Sequence, residues 1–144
     1  NNMQDFASYG WALAAVALYG VMAQVLNAAT GIRKGKLKMV PGAHHEPDFN
    51  NPAYRLDRAY MNSIETMVFY TALVLTAVMA GADPLWVNIL AVIGFLLRAS
   101  ANVLYLRGIG GQYGGLRTGL SIGGSVVNIC LAVLTFAAAV WYHQ

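Results

Sequence analysis

Hydrophobic residues in this 144-residue chain gather into four long runs, at about 6–31, 60–80, 85–106 and 116–142. Charged residues are almost confined to the segments between them. A bilayer core about 30 Å thick is crossed by roughly 20 mostly apolar helical residues, and each run meets that length. Extended by their flanks, the runs predict helices over about 6–33, 54–81, 84–107 and 115–142, in a single transmembrane domain covering 1–144. The expected fold class is all-α, an integral membrane four-helix bundle. The first run is longer than the apolar part of a secretory signal and follows no basic segment, so it reads as a retained helix.

Composition agrees: 58% of residues are hydrophobic and only 10% charged, and the mean hydropathy is +0.51, far from the soluble average. The formal net charge of +3 is explained by topology and not by nucleic-acid binding. Arg33, Lys34, Lys36, Lys38, Arg55 and Arg58 flank the first connection, and Arg107 and Arg117 flank the third. By the positive-inside bias those two connections are expected in the cytoplasm, with both termini and the 81–84 turn on the other side. Trp11, Trp86 and Trp141 fall at the opposite, non-cytoplasmic ends, where amphipathic rings favour the interface. Either a bacterial inner membrane or the endoplasmic reticulum suits this pattern. Cys130 stands alone, so there is no disulfide framework.

The long connection, 34–51, carries basic residues, Pro41 and Pro47, and the pair His44-His45. With Glu46 and Asp48 these histidines resemble a metal cluster only superficially, because adjacent positions in a loop do not share a helical face, and no metal site is expected. Pro84 favours a fresh helix start. Gly108 to Gly115 makes the third connection glycine-dense, but the run misses the last glycine of a dinucleotide loop and follows a membrane helix. Gly115, Gly119 and Gly123 recur every fourth residue and are expected to let helices approach closely.

The candidate chemistry lies where the helices meet the basic connections. At about 100° per residue, Arg55, Arg58, Asn62 and Glu65 share a stripe about 80° wide on the second helix. Glu65, ten residues beyond Arg55, sits roughly 15 Å further along the axis, at about 1.5 Å per residue. An ionisable group at that depth is costly unless it faces protein or water, so the stripe is expected to face inward. On the third helix Arg98, Asn102 and Tyr105 repeat the pattern, and Arg117 opens the fourth. Arginine's planar fork binds carboxylates bidentately. The implied ligand is a small anion with several carboxylates and an amine for Glu65.

The run Arg55-x-x-Arg58-Ala59-x-x-Asn62-x-x-Glu65, followed by Phe69, resembles the signature of the MAPEG superfamily, the membrane-associated proteins of eicosanoid and glutathione metabolism. The resemblance extends over essentially the whole chain. It implies a homotrimer of four-helix protomers with glutathione, a co-substrate, held between subunits near the cytoplasmic face. Carried over to this sequence, Arg58, Asn62 and Glu65 hold glutathione, Arg55 borders the site, and Tyr105 reaches it from the neighbouring protomer. Arg98 and Arg33 match basic family positions and are expected among the glutathione-binding residues. Arg117 is the expected catalytic residue, stabilising the glutathione thiolate.

The leading expectation is a glutathione-dependent transferase that conjugates lipophilic electrophiles drawn from membrane lipid, a detoxification chemistry, with peroxide reduction as a second activity. One alternative is a non-catalytic lipid-binding member; the other is a small transporter or channel subunit with Arg58, Glu65 and Arg98 lining a polar pathway.

Overall fold

The computed structural model describes residues 6–111, 113 and 115–141. Tyr142, the expected end of the fourth helix, and Gln112 and Gly114 of the glycine-dense connection lie outside the described residues. Four long helices are present: α1 (Gly10–Lys36), α2 (Pro52–Met79), α3 (Pro84–Leu106) and α4 (Leu116–Trp141). Each is long and apolar enough to cross a membrane, so the chain is an integral membrane four-helix bundle.

The helix ends follow local chemistry. At the start of α2 the Asn51 side chain accepts a hydrogen bond from the Ala53 N–H at 2.9 Å, and Pro52 occupies the first helical position. That pair starts the helix two residues before the sequence expectation, because a proline at the first position needs no amide donor. Asp83 does the same for α3, accepting from the Leu85 and Trp86 amides, with Pro84 behind it. α1 runs to Lys36, beyond the expected end at 33, with Arg33, Lys34 and Lys36 in a last turn whose partial negative charge favours cations.

α3 packs against all three other helices and α2 also against α1 and α4, whereas α1 and α4 scarcely touch and form opposite flanks. In lipid no hydrophobic force drives these contacts; close approach and interhelical hydrogen bonds do. Accordingly the interior is rich in alanine (Ala12, Ala15, Ala23, Ala59, Ala77, Ala91), with Tyr19, Tyr70, Val74, Val87 and Leu131 between them. Tyr19 stacks on Tyr70 at 5.0 Å between centroids. Tyr70 donates to the Ala91 carbonyl at 2.6 Å. At the far end Asn88 accepts from the Ala12 amide and donates to the Ser8 carbonyl, both at 2.8 Å, tying α3 to the start of α1.

The glycine stripe needs correction. Gly115 sits at φ +79 before α4, and nothing approaches Gly119, so only Gly123 packs, against Leu97. The tight position is Gly94, where an added Cβ would lie 2.8 Å from the Tyr70 ring and 3.3 Å from Val127. Gly94→Ala is therefore expected to destabilise the bundle by about 1–3 kcal/mol through overpacking. Thermal unfolding in detergent measures it, with Gly119→Ala as the near-neutral comparison.

Up-and-down topology gathers Trp11, Trp86 and Trp141 at one end, all exposed, and Arg33, Arg55, Arg58, Arg107 and Arg117 toward the other, with Arg98 deeper in the span. The outer surface between them is apolar, with Val25, Phe69, Ile129 and Phe136 more than 60% exposed, as a lipid-facing surface requires.

Candidate functional site

The arginine-bearing end is organised around Arg117, in the first turn of α4. Its side chain is buried, and its guanidinium packs in the corner formed by two rings, 4.4 Å from the centroid of Phe49 and 4.3 Å from that of Tyr105. The rings meet edge to face at 5.9 Å. Nη2 donates to the Gly111 carbonyl and, at 3.5 Å, to that of Gly110. Both glycines have positive φ, +97 at Gly110 and +59 at Gly111, which a side chain would resist. Nε and Nη1 of Arg117 are buried with no hydrogen-bond partner among the described residues. A buried guanidinium with idle donors is unfavourable unless an anion or another acceptor meets it.

Arg55 holds the cover in place. Its Nη1 donates to the Phe49 carbonyl at 2.8 Å and the Asn50 carbonyl at 3.1 Å, and its guanidinium packs on Gly108. Within the protomer Arg55 thus fastens the first connection to the third, with Phe49 held over Arg117. Phe49→Ala is expected to release this cover, read as faster amide hydrogen exchange across residues 38–51 while the helix interiors stay protected.

Two open cavities adjoin Tyr105. One, of about 240 Å³, is lined by Asn62, Arg98, Ala101, Asn102, Tyr105, Arg117, Thr118 and Ser121. Its neighbour, of about 360 Å³, is lined by His44, His45, Pro47, Tyr54, Asp57, Arg58, Met61 and Tyr105. Small-molecule sites usually measure roughly 300–1,000 Å³, so each cavity is near the low end and Tyr105 is the wall they share. Arg58 and Asn62, one turn apart on α2, join them: Arg58 Nη2 donates to Asn62 Oδ1 at 2.9 Å. The structure therefore brings Arg58, Asn62, Arg98, Tyr105 and Arg117 to one place.

Other expected residues lie elsewhere. On a single protomer Glu65 departs from the inward-facing stripe: it is exposed and, among the described residues, makes no ion pair or side-chain hydrogen bond. The inner face of α2 is set instead by Ala53, Asp57, Ala59, Ser63, Tyr70 and Val74, which turns Glu65 outward beside Val68 and Phe69. Arg33 also stays apart within the protomer, lining a separate groove with Lys36. Asn102 is engaged in structure: its Nδ2 donates to Ser63 Oγ at 2.8 Å, bridging α3 to α2.

Three features escaped the sequence reading. Asp57, nearly fully buried, forms an ion pair with Lys34 at 2.7 Å and lies 3.1 Å from His44, which anchors the first connection to α1 and α2. Phe49 carried no signal beyond being an aromatic residue in a polar loop. Thr118, Ser121, Ser125 and Asn128 did carry one, since their spacing of three, four and three defines a polar face within an apolar span. Ser121, Ser125 and Asn128 line a small cavity deeper in the bundle, with Tyr19, Thr66 and Arg98. Among the described residues no three potential metal ligands gather, and His44 is engaged with Asp57.

The sequence profile of the MAPEG family matches residues 9–137, nearly the whole chain. The chain belongs to the MAPEG family. No curated protein matches it. MAPEG proteins act in eicosanoid and glutathione metabolism at membranes and include glutathione transferases as well as non-catalytic members. Within this MAPEG fold the second-helix motif divides in placement: Arg55 holds the cover, Arg58 and Asn62 line the cavities, and Glu65 points away from the protomer.

Proposed function

We propose that this protein is a membrane-bound glutathione transferase that conjugates the glutathione thiolate to lipophilic electrophiles. The observation that carries this reading is Arg117, a buried guanidinium packed against both Phe49 and Tyr105, with two donors lacking a partner among the described residues beside the Asn62 and Arg98 cavity. A thiolate, not a thiol, is the nucleophile, and a neighbouring guanidinium favours it by stabilising the negative sulfur. Burial strengthens that effect by excluding water.

Arg58, Asn62 and Arg98 supply the cationic and amide groups that suit glutathione's carboxylates and peptide bonds. Glu65 is the candidate partner for its amine. Because Glu65 faces outward from one protomer at membrane depth, a second copy has to cover it, which supports a homotrimer with glutathione at the subunit boundary. The cationic end is assigned to the cytoplasm, where glutathione is available, and the lipophilic substrate arrives laterally from the bilayer. Peroxide reduction uses the same thiolate: it attacks the outer oxygen of a lipid hydroperoxide, the O–O bond breaks to leave an alcohol after protonation, and a second glutathione reduces the resulting sulfenic acid to give the disulfide and water.

Isothermal titration of the detergent-purified protein with glutathione tests the assignment. Wild type is expected to bind, and Arg58→Ala and Asn62→Ala each to weaken binding by about tenfold or more, the size of a charge-assisted hydrogen bond. A folded protein that binds no glutathione would remove the transferase reading in favour of lipid binding without catalysis.

A further inference from the structure

The polar face of α4 runs deeper into the membrane span than the candidate site. Asn128 lies eleven residues beyond Arg117, roughly 16 Å further along the helix at about 1.5 Å per residue. That depth is near the middle of a bilayer core about 30 Å thick. Ser121, Ser125 and Asn128 line a pocket of about 40 Å³. Across it stand Tyr19, Thr66 and Arg98, one from each of the other helices. Arg98 is 9% exposed and forms no ion pair among the described residues. The side chains of Ser121 and Asn128 make no hydrogen bond among the described residues, although the Ser121 carbonyl accepts from Ser125 at 3.3 Å. The Tyr19 and Thr66 hydroxyls pair with each other, and Thr66 donates on to the Asn62 carbonyl at 2.9 Å, so both oxygens keep lone pairs for a further donor. Polar groups at membrane depth are satisfied by protein or by water, never by lipid tails.

We propose that this pocket binds a cluster of about three ordered waters, since one water takes roughly 10–15 Å³ of such space and two to four polar partners. Arg98 and the Asn128 amide donate to the cluster, and the Tyr19 and Thr66 oxygens accept from it. The pocket is too small for glutathione or for a lipophilic substrate, whose sites usually measure roughly 300–1,000 Å³. Arg98 and Ser121 also line the cavity beside Arg117. The cluster therefore continues that cavity inward and carries water to the depth at which a lipophilic substrate lies. It hydrates the Arg98 guanidinium there without a carboxylate. The water site is independent of whether glutathione is the ligand of the larger cavity.

Millisecond X-ray radiolysis of the full chain in phosphatidylcholine nanodiscs, without glutathione, tests this. Hydroxyl radicals made from a bound water oxidise the side chains around it, and mass spectrometry locates the added oxygen. In wild type, Tyr19 and Tyr70 line the pocket and are expected to be labelled although they are only 1% and 3% exposed. The double variant Ser125→Leu/Asn128→Leu replaces polar lining with apolar bulk outside the glutathione cavities, and an apolar cavity stays dry. It is expected to cut labelling of both tyrosines at least about fivefold and to leave the exposed Tyr113 unchanged. Asn128→Gln keeps an amide and is expected to retain the labelling. A wild type with Tyr113 labelled but Tyr19 and Tyr70 untouched would overturn the proposal, with an acyl chain or a second copy filling the pocket instead. Undiminished labelling in a folded double variant would also overturn it, because the radicals would then arrive through transient opening of the bundle. Unfolding raises labelling throughout, opposite to the expected change, and in that event Asn128→Leu alone makes the comparison.

Discussion

Replacing Arg117 with alanine is expected to lower glutathione-dependent turnover of a lipophilic electrophile by about 10²–10³-fold, the loss seen when one group aimed at a developing negative charge is removed. The expectation rests on the setting of the guanidinium. It lies in the face of both the Phe49 and Tyr105 rings, so it cannot swing out to water without losing two cation–π contacts. Nη2 is committed to the glycine carbonyls of the third connection, which leaves Nε and Nη1 as the groups free to meet sulfur. Arg117→Lys keeps the charge but not the planar fork, and is expected to fall between wild type and alanine. Steady-state kinetics with a chromogenic electrophile separate the effects: kcat/KM for the electrophile falls steeply, whereas glutathione affinity, held also by Arg58 and Asn62, changes less. Equal losses in glutathione affinity and turnover would mean that Arg117 only binds.

The second large effect is on stability. Asp57→Ala is expected to cost roughly 2–3 kcal/mol, below the range for a fully buried pair because the Lys34 and His44 side chains keep some solvent. Their exposures are 17% and 59%, against 4% for Asp57. The cost arises because Lys34, partly buried next to α2, is left without its counter-charge. A paired substitution distinguishes this cause from simple loss of packing: Asp57→Leu with Lys34→Met removes both charges and is expected to recover most of the loss. Thermal unfolding in detergent reads both variants, and additive destabilisation in the pair would contradict the account.

Much of the architecture was legible because the period and length of apolar runs are dictated by the bilayer. The four spans follow from that constraint alone, and their ends shifted by a few residues, at the start of α2 because the Asn51 and Pro52 cap decided the matter. The site was legible in part. The clustering of Arg58, Asn62, Arg98, Tyr105 and Arg117 could be anticipated because polar side chains inside apolar spans are expensive and therefore conspicuous. Orientation was harder. A helical stripe gives a direction but not the neighbour it meets, and small rotations of α2 decide whether Glu65 looks into the bundle or out of it. Asp57 was hidden for the same reason, one position from Arg58 yet on the inner face. Loop contacts carried no periodic signal at all. Phe49 reaches Arg117 only because Arg55 grips the backbone around it, and that is a tertiary fact.

The account turns on whether Arg117 generates a thiolate. The most direct measurement is the ultraviolet difference spectrum of purified protein with glutathione near neutral pH, where a bound thiolate absorbs and the thiol does not. Wild type is expected to give about one thiolate per occupied site, and Arg117→Ala to bind glutathione with no such band. A wild type that binds glutathione entirely as the thiol, or an Arg117→Ala variant with an undiminished thiolate band, would contradict the role assigned to this residue.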